Sequence, residues 1–279
     1  MARGGVGGGC KAWMEGAGAK KYLWVATFFC NFVVMNIDDK DIESTASPIL
    51  YLLPVPLSDV APDAVMPQCN IDVARRVKHF IVEDVRSARR FLKRCDRSID
   101  IDTLTFYELN EHTDPREVAS MLEPMKRGCD MAVVSEAGCP AVADPGALAV
   151  AEAHRLGMRV CPLVGPSSIL LALMASGFNG QTFAFAGYLP YDSSERMRML
   201  KEMQRRVERE RQTQIFIETP YRNNKLIAEL CRQLPRNMQL CVASDITGAR
   251  QSIITRTLGA WSKARYDYDK IPAIFLLYS

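Results

Sequence analysis

The sequence predicts an α/β protein of two α/β domains: an N-terminal five-stranded parallel sheet with helices on both faces, a C-terminal mixed sheet, and a ligand cleft between them. Three observations carry this prediction. Short apolar runs alternate with helical patterns up to about residue 163, which is typical of a parallel sheet. The last three apolar runs are not all separated by long helices, which indicates antiparallel pairing in the second sheet. Two turns rich in glycine and proline follow strands, and open α/β sheets bind ligands at that edge.

The first half contains five predicted strands. Each is short, mostly apolar and followed by turn residues, as expected for strands buried on both faces. In chain order, the predicted elements are a strand at 49–53, a short helix near 71–77, a strand at 79–82, a helix at 87–95, a strand at 104–107, a helix from 114 to 128, a strand at 131–134, a helix at about 147–156 and a strand at 159–163.

In the second half, strands and helices no longer alternate regularly. A helix at 195–212 is so highly charged that it can bury only a thin stripe, made of Met197, Leu200, Met203 and Val207. The other predicted elements are a helix at 169–176, strands at 182–186 and 214–217, a helix at 224–234, strands at 239–243 and 253–258, a short helix at 260–263 and a strand at 273–278. A boundary near residues 163–165 divides the chain into domains at 46–163 and 164–279.

Residues 1–45 differ from the rest of the chain. They begin with a glycine-rich segment, and the apolar run at 22–35 is fourteen residues long, short of the roughly 18–20 needed to span a bilayer. We interpret them as a disordered or mispredicted extension with Met35 as the functional start. The alternative is a targeting segment or an anchor at residues 20–35, and without such an anchor no membrane association is expected.

Composition describes a globular chain and argues against several kinds of site. Of 279 residues, 48% are hydrophobic and 24% charged, and a net charge of +3 is too small to establish nucleic-acid binding. The nine cysteines are never closer than ten residues apart, so neither a CxxC zinc motif nor a redox pair is present. The three histidines are isolated, and no metal site is predicted. Scattered thiols fit a reducing compartment, so we expect a cytoplasmic protein.

The stretch at 130–168 is the most informative for function. The strand at 131–134 ends in SEAGCP, a loop of small residues, and the turn DPG then opens a helix with proline in its first turn. The next strand is followed by GPSS. Because both turns lie at carboxyl ends of neighbouring strands, we expect them to form one ligand site rather than two structural turns.

The spacing S-E-A-G-C-P-x-x-x-D-P-G, then L-x-G-P-S-S, then G-Y-L-P, resembles the tetrapyrrole methylase superfamily. More narrowly it resembles the ribosomal RNA small-subunit methyltransferase I branch, which carries S-D-A-G-T-P-x-x-x-D-P-G, P-G-P and G-F-L-P. Three further segments fall in order: EDVR at 83–86 is similar to the E-D-T-R box, IFIETPYR at 215–222 to a strand ending in E-S-x-x-R, and VASDIT at 242–247 to A-R-E-L-T-K. The resemblance covers nearly all of 49–279.

This resemblance implies a two-domain methyltransferase, normally a homodimer, that binds S-adenosylmethionine in the cleft between the domains. The residues it places against the cofactor are Leu57, Gly138, Cys139, Pro140, Val142, Ser167, Ser168, Phe216, Ile217, Ala243 and Pro272. Loops without bulky side chains allow the close backbone approach that such a ligand needs. An apolar pocket also leaves the cationic sulfur of the donor poorly solvated.

The resemblance further implies ribosomal RNA, or the small ribosomal subunit, as the substrate, with methylation of a ribose 2′-oxygen. A ribose hydroxyl must lose its proton, and Glu83, Asp84 and Glu218 are the candidate catalytic carboxylates. The candidate substrate-binding residues are Arg86, Tyr221 and Arg222. Glu83, Asp84 and Arg86 can equally be a helix cap and a surface pair. The basic run at 75–97 fits either a phosphate footprint or a solvated helix face.

The chain departs from the branch pattern at three places. Its first loop lacks the glycine of T-P-I-G-N-L, Cys139 replaces a threonine, and Ser244-Asp245 and Gly248 replace the arginine-glutamate pair and the lysine of A-R-E-L-T-K. These changes leave two alternatives open: methylation of a tetrapyrrole or other small molecule, and a non-catalytic adenosyl- or RNA-binding module. RNA binding would depend on salt, whereas porphyrin binding would alter the visible spectrum.

Overall fold

The computed structural model describes residues 47–279, and Ser47–Ser279 forms one compact unit. The predictions for residues 1–45, including the anchor at 20–35, lie outside the described residues. Among the described residues, no helix is long and apolar enough to cross a membrane. The division into domains at residue 163/164 stays a prediction, because the two sheets belong to the same compact unit.

The first sheet is parallel and has the strand order β3-β2-β4-β1-β5, which confirms the predicted architecture. Buried side chains form one cluster on each face, so helices cover both faces. The elements in chain order are β1 (Ile49–Leu52), α1 (Gln68–Arg76), β2 (His79–Val82), α2 (Val85–Cys95), β3 (Thr105–Glu108), α3 (Val118–Met121), α4 (Glu123–Lys126), β4 (Met131–Val134), α5 (Gly146–Arg155) and β5 (Arg159–Pro162).

The second sheet is mixed, as predicted, with the order β6-β7-β10-β8-β9. Only β6 and β7 pair in parallel, and the remaining pairs are antiparallel. The elements in chain order are α6 (Ser168–Ser176), β6 (Phe183–Tyr188), α7 (Ser193–Glu210), β7 (Thr213–Ile217), α8 (Asn223–Gln233), β8 (Gln239–Ser244), β9 (Ser252–Thr257), α9 (Leu258–Trp261) and β10 (Ala273–Tyr278).

The two faces of the second sheet have different neighbours. Side chains such as Ile215 and Ala243 pack with α6 on one face, which we call the inner face. Phe216 and Val242, one position away along the same strands, pack with α7, α8 and α9 on the outer face. Because successive strand residues point to opposite faces, each strand serves both layers.

The predicted single helix from 114 to 128 is wrong. The segment instead forms a 3₁₀ turn at Pro115–Glu117, then α3 and α4, each four residues long. Pro124 lies in the first turn of α4 and has no N–H to donate to the carbonyl four residues earlier. Its ring also clashes with that carbonyl, so the helix ends before it.

Helix α7 buries an arginine that the predicted apolar stripe did not include. Leu200, Met203 and Val207 are buried as expected, but Arg196 is buried and Met197 only half-buried. The Arg196 guanidinium lies 3.0 Å from Glu229 Oε1 on α8 and donates to the carbonyls of Pro190 at 2.8 Å and Tyr191 at 2.7 Å. A buried charge is tolerated when it is paired and hydrogen-bonded in this way.

Candidate functional site

Three loops of the first half meet at one edge of the parallel sheet. They follow β1, β4 and β5, whose carboxyl ends all point there. Gly138 and Val55 exchange backbone hydrogen bonds of 2.9 Å, which join the first two loops. The Cys139 thiol contacts the Pro166 carbonyl at 3.5 Å, which joins the third. The three strand ends therefore support one continuous wall.

Between this wall and the inner face of the second sheet lies a cleft of about 390 Å³. Its volume is in the range of small-molecule sites. Of the predicted cofactor-contacting residues, those that line it are Leu57, Gly138, Cys139, Val142, Ser167, Ser168, Ile217, Ala243 and Pro272. The two turns singled out in the sequence and the second sheet thus meet at one place.

Pro140 and Phe216 do not line the cleft. Pro140 belongs to the second loop but is buried and is not among the residues that line the cleft. Phe216 is fully buried on the outer face, with its ring 5.8 Å from that of Phe275. Ile217, the next residue on β7, points to the inner face and lines the cleft instead.

Gly138 is a position where the wall depends on a missing side chain. Its φ is +78°, in the left-handed region that favours glycine. A Cβ there would lie 3.2 Å from Leu57 Cδ2 and 3.5 Å from the Pro166 carbonyl oxygen. Glycine lets Leu57 and the third loop pack directly against the backbone of the second loop where that loop lines the cleft, which fits a ligand held by peptide groups.

The carboxylate of Asp144 fixes the rest of the second loop. It accepts hydrogen bonds from Ala141 N at 2.9 Å and Gly146 N at 2.7 Å. Ala141 and Ala143 have φ of 66° and 59°, an unfavourable region that costs roughly 1–2 kcal/mol per residue. Charge-assisted hydrogen bonds of about 1.5–3 kcal/mol each can hold such a loop in place.

Helix α6 begins at the cleft. Ser167 is its N-cap, with Oγ 3.5 Å from Leu170 N, and Ser168 is its first residue. Backbone N–H groups and the helix dipole at this end favour a negatively charged ligand group. Another part of the wall, formed by Leu57, Ile217 and Ala243, is apolar. The cleft can therefore hold a ligand with one carboxylate and an apolar, weakly solvated centre.

Two of the three predicted catalytic carboxylates, Glu83 and Glu218, line the cleft. Glu218 is 6% exposed. Its Oε1 accepts from Thr219 N at 2.8 Å, whereas Oε2 has no hydrogen-bond partner among the described residues. The only cation near Oε2 within this part of the chain is Arg222, whose Nη2 lies 3.4 Å away. Oε2 is thus a buried acceptor with spare capacity.

Asp84, the third predicted carboxylate, lies outside the cleft. It is the N-cap of α2 and accepts from Ser87 N at 2.7 Å. This agrees with the alternative given in the sequence analysis, that Asp84 caps a helix. The cap accounts for the presence of an aspartate here without a bound ligand.

Two of the predicted substrate-binding residues, Tyr221 and Arg222, lie in one turn, and the third, Arg86, lies on a different element. Arg86 is exposed in the first turn of α2, outside the cleft. Tyr221 is 72% exposed in the turn after β7. Arg222 lies beside Glu218 with its guanidinium 5.0 Å from the centre of the Tyr191 ring. Arg222 therefore contacts a residue that lines the cleft, and Tyr221 directly follows another, Pro220.

Several lining residues were missed in the sequence, including Glu136, Asp144, Phe185, Tyr188 and Ile246. Glu136 and Asp144 belong to the quoted S-E-A-G and D-P-G turns, so the motif contained a usable signal. Tyr188 is the aromatic residue of G-Y-L-P. Ile246 belongs to the quoted VASDIT segment at 242–247. Phe185 lies in no quoted motif, and only the packing of the second sheet identifies it.

Burial raises the pKa of Glu83, and the nearby Glu136, Asp144 and Glu111 raise it further. The folded state therefore holds the Glu83 proton more tightly than the unfolded chain, so the ionised form opposes folding at neutral pH. We expect Glu83→Gln to raise Tm at neutral pH, with a gain that shrinks as pH falls through the raised pKa and is gone below about 4.3, the ordinary pKa of glutamate. Thermal melts across this pH range measure it.

Asp84→Asn is the matched control because the pKa of Asp84 is lowered, mainly by hydrogen bonds from Ser87. Ionised Asp84 favours folding, so this variant should lower Tm at neutral pH and approach the parent protein as pH falls through the lowered pKa. Shifts of the same sign in both variants would contradict the expectation.

No profile of a known protein family matches the sequence. Individual relatives do. The chain is 30% identical over 216 residues to "Ribosomal RNA small subunit methyltransferase I" of Vibrio cholerae, covering 77% of this chain and 70% of the relative. It is 28% identical over 217 residues to the protein of the same name from Escherichia coli O157:H7, covering 77% and 72% of the two chains.

Solved structures share the fold. Diphthine synthase superposes with a TM-score of 0.58 at 16% identity, covering 83% of this chain and 90% of that one. The methyltransferase CobJ superposes with a TM-score of 0.56 at 17% identity, covering 84% of this chain and 95% of that one. Uroporphyrin-III C-methyl transferase from Thermus thermophilus, complexed with S-adenyl homocysteine, gives 0.51 at 16% identity, covering 83% and 97%.

The fold, the loop cleft and the relatives agree with the resemblance drawn from the sequence motifs, which is confirmed. The chain belongs to the ribosomal RNA small subunit methyltransferase I family and is a methyltransferase whose cofactor is S-adenosylmethionine.

Proposed function

We propose that this enzyme methylates a ribose 2′-oxygen in small-subunit ribosomal RNA. The substrate class follows from the name shared by its relatives. The reaction type is supported by one observation in particular, the buried Glu218 carboxylate, which lines the cleft and whose Oε2 has no hydrogen-bond partner among the described residues. A cytoplasmic location is part of the proposal, since a ribosomal substrate would be found there.

In this proposal the cofactor supplies an electrophilic methyl carbon when bound. The backbone around Gly138 and Cys139 would hold its adenosyl part, and Ser167 and Ser168 at the start of α6 would receive its carboxylate. The side chains of Leu57, Val142, Ile217, Ala243 and Pro272 would enclose the donor in an apolar wall. Pro140 and Phe216 would support that wall from behind.

Glu218 would take the proton from the ribose hydroxyl. A general base must lie within hydrogen-bond reach of the proton and have a free acceptor, and Oε2 meets the second requirement. Glu83, whose pKa is raised by burial, is the other carboxylate of the cleft. Asp84 would act only indirectly, by capping α2 next to Glu83.

Arg222, Tyr221 and Arg86 would contact the RNA. Arg222 adjoins Glu218, so a phosphate next to the reacting ribose would meet its guanidinium first. Tyr221 is exposed beside it and can stack on a base. Arg86 lies farther along the first half, on α2, and would contact the backbone of a longer substrate.

The test incubates the protein with labelled S-adenosylmethionine and separated ribosomal subunits. We expect label in small-subunit RNA, recovered as a dinucleotide that resists alkaline hydrolysis, because a 2′-O-methyl group blocks cleavage at that ribose. Label in a tetrapyrrole, or on a base, would contradict the proposal. Tight cofactor binding without transfer to any fraction would indicate a non-catalytic module.

We also propose that the protein is a homodimer and that the two subunits contact each other through α6. Leu170 and Met174 lie one turn apart on α6 and are 51% and 78% exposed, and Val164 just before the helix is 75% exposed. Neighbouring exposed apolar side chains of this kind mark interaction sites. The strands β5 and β6, on either side of α6 in the chain, are edge strands.

Leu170→Lys/Met174→Lys is expected to convert the dimer into a monomer, because two buried charges would oppose association. Light scattering should give twice the chain mass for the parent protein and the chain mass for the variant. Ala260→Lys, an added charge at an exposed site on α9, should remain a dimer. A parent protein that is monomeric at micromolar concentration would contradict this proposal.

A further inference from the structure

A second hollow, of about 290 Å³, lies on the outer face of the second sheet, where β9, α9 and the segment before β10 meet. We call it the arginine hollow. The side chains that define it are Arg250, Arg256, Arg265, Trp261, Tyr266 and Tyr268. Its volume suits a ligand fragment of roughly one nucleotide, at the lower end of the usual range for ligand sites.

The three arginines of the hollow are exposed, and among residues 47–279 none of them forms an ion pair. By contrast, Arg196 and Arg222 near the cleft both face a glutamate. The one carboxylate that lines the hollow, Asp267, already accepts from Asn224 Nδ2 at 3.0 Å and Asp269 N at 3.2 Å. The hollow therefore holds three positive charges against one carboxylate, and none of the three is in an ion pair among the described residues.

Aromatic rings form the back of the hollow. The ring of Trp261 meets Tyr266 edge-on at 5.6 Å, and Tyr266 stacks on Tyr268 at 6.3 Å. The indole N–H donates to the Leu240 carbonyl at 2.9 Å, which fixes the ring in place. The Arg256 guanidinium lies 5.4 Å from the centre of the Trp261 ring. Arginine and aromatic groups held together are the combination that binds phosphate and stacked bases.

The hollow is next to the cleft along two strands. Ala243 lines the cleft and Ser244 lines the hollow, and the same holds for Pro272 and Ile271. Asp245 N donates to the Pro272 carbonyl at 3.0 Å, so the two chain segments are joined at this point. A strand leaving the cleft over the ends of β8 and β10 would therefore enter the hollow.

The turn between β8 and β9 is held in a defined shape. Asp245 Oδ2 accepts from Arg250 N at 2.8 Å, which fixes the first arginine of the hollow. On the other side of the turn, the hydroxyls of Thr247 and Ser58 lie 3.0 Å apart, which links the turn to the loop that carries Leu57 in the cleft. The hollow and the cleft thus share a rigid connection.

We infer that the arginine hollow binds a phosphate group and the adjoining base of the RNA strand that flanks the nucleotide in the cleft. This rests on the proposed function. Guanidinium groups bind phosphate with paired N–H donors, and Tyr266, which is half-buried, offers a surface for a base. The hollow is a substrate-binding site remote from the reacting atoms, so it acts on affinity rather than on the chemical step.

The test uses Arg250→Gln/Arg256→Gln/Arg265→Gln. Fluorescence anisotropy with a labelled small-subunit RNA fragment should show that this variant binds at least about tenfold more weakly. The slope of the logarithm of the binding constant against the logarithm of the salt concentration should be shallower by about 2–3. KM for the small subunit should rise with kcat and cofactor affinity unchanged. Substituting Arg256 also removes its contact with the Trp261 ring. Arg250→Gln/Arg265→Gln therefore serves as a second variant that leaves this contact in place, and its salt slope should change by about 2.

Arg198→Gln/Lys201→Gln/Arg209→Gln is the matched control, because it removes the same charge from exposed positions on α7. If the control and the hollow variant lose equal RNA affinity, the loss is explained by net charge alone and the inference is overturned. An unchanged salt slope in both hollow variants, or competition by polyglutamate as strong as by RNA, would also overturn it. If the parent protein labels RNA, those results overturn this inference alone; a parent protein that neither binds nor labels RNA overturns the proposed function as well.

Discussion

Glu218→Gln is expected to lower kcat by about 10²- to 10⁴-fold, the usual contribution of a general base. In free energy this is about 2.7–5.4 kcal/mol of transition-state stabilisation. Glutamine has nearly the same shape, and its oxygen can still accept the hydrogen bond from Thr219 N that Oε1 accepts now. What it loses is the ability to take a proton at the position of Oε2, which has no hydrogen-bond partner among the described residues.

Single-turnover methylation of small-subunit RNA measures this loss, and calorimetric titration with the demethylated cofactor product measures binding. Cofactor affinity and Tm should stay close to those of the parent protein. Glu83→Gln provides the comparison, since Glu83 also lines the cleft. A large loss of kcat in the Glu83 variant and none in the Glu218 variant would transfer the role to Glu83.

Gly138→Ala is expected to weaken cofactor binding by about tenfold or more. The new Cβ would lie 3.2 Å from Leu57 Cδ2 and push that side chain into the cleft, where it also narrows access to the backbone of the second loop. A left-handed alanine costs stability as well, by roughly 1–2 kcal/mol. Titration calorimetry and a thermal melt on the same sample separate the two effects.

Gly177→Ala is the control for this experiment. Its φ of +79° matches the +78° of Gly138, but nothing lies within 4 Å of the position that its Cβ would take. The two variants should lose similar stability, and only Gly138→Ala should lose cofactor affinity. Equal affinity in both would mean that the space above Gly138 is not used by the cofactor.

Most of the fold could be predicted because its strands are short apolar runs bounded by turn residues. The strand at Met131–Val134 is an example, since all four side chains are buried and turn residues stand at both ends. The helix predicted across residues 114–128 failed at Pro124, whose effect on the preceding turn is local and could have been anticipated. Greater weight on proline would have corrected it.

Side-chain direction was harder to predict than element type. Every residue of β7 except Ile217 is buried, so the sequence has no alternation to show whether Phe216 or Ile217 faces the cleft. The burial of Arg196 depends on Glu229, thirty-three residues away, which no local pattern reveals. The arginine hollow combines residues from two strands, a helix and a loop, whereas the sequence drew attention to the basic run at 75–97.

The thiol at Cys139 has a chemical consequence for an enzyme of this kind. Burial raises its pKa, and the thiol contacts the Pro166 carbonyl, an acceptor that suits the protonated form. Thiolates, not thiols, attack electrophilic carbon and react with peroxides. A raised pKa favours the thiol form of Cys139, so we expect this sulfur to react slowly with a methyl donor and with peroxides, although a cysteine replaces the threonine of the family pattern.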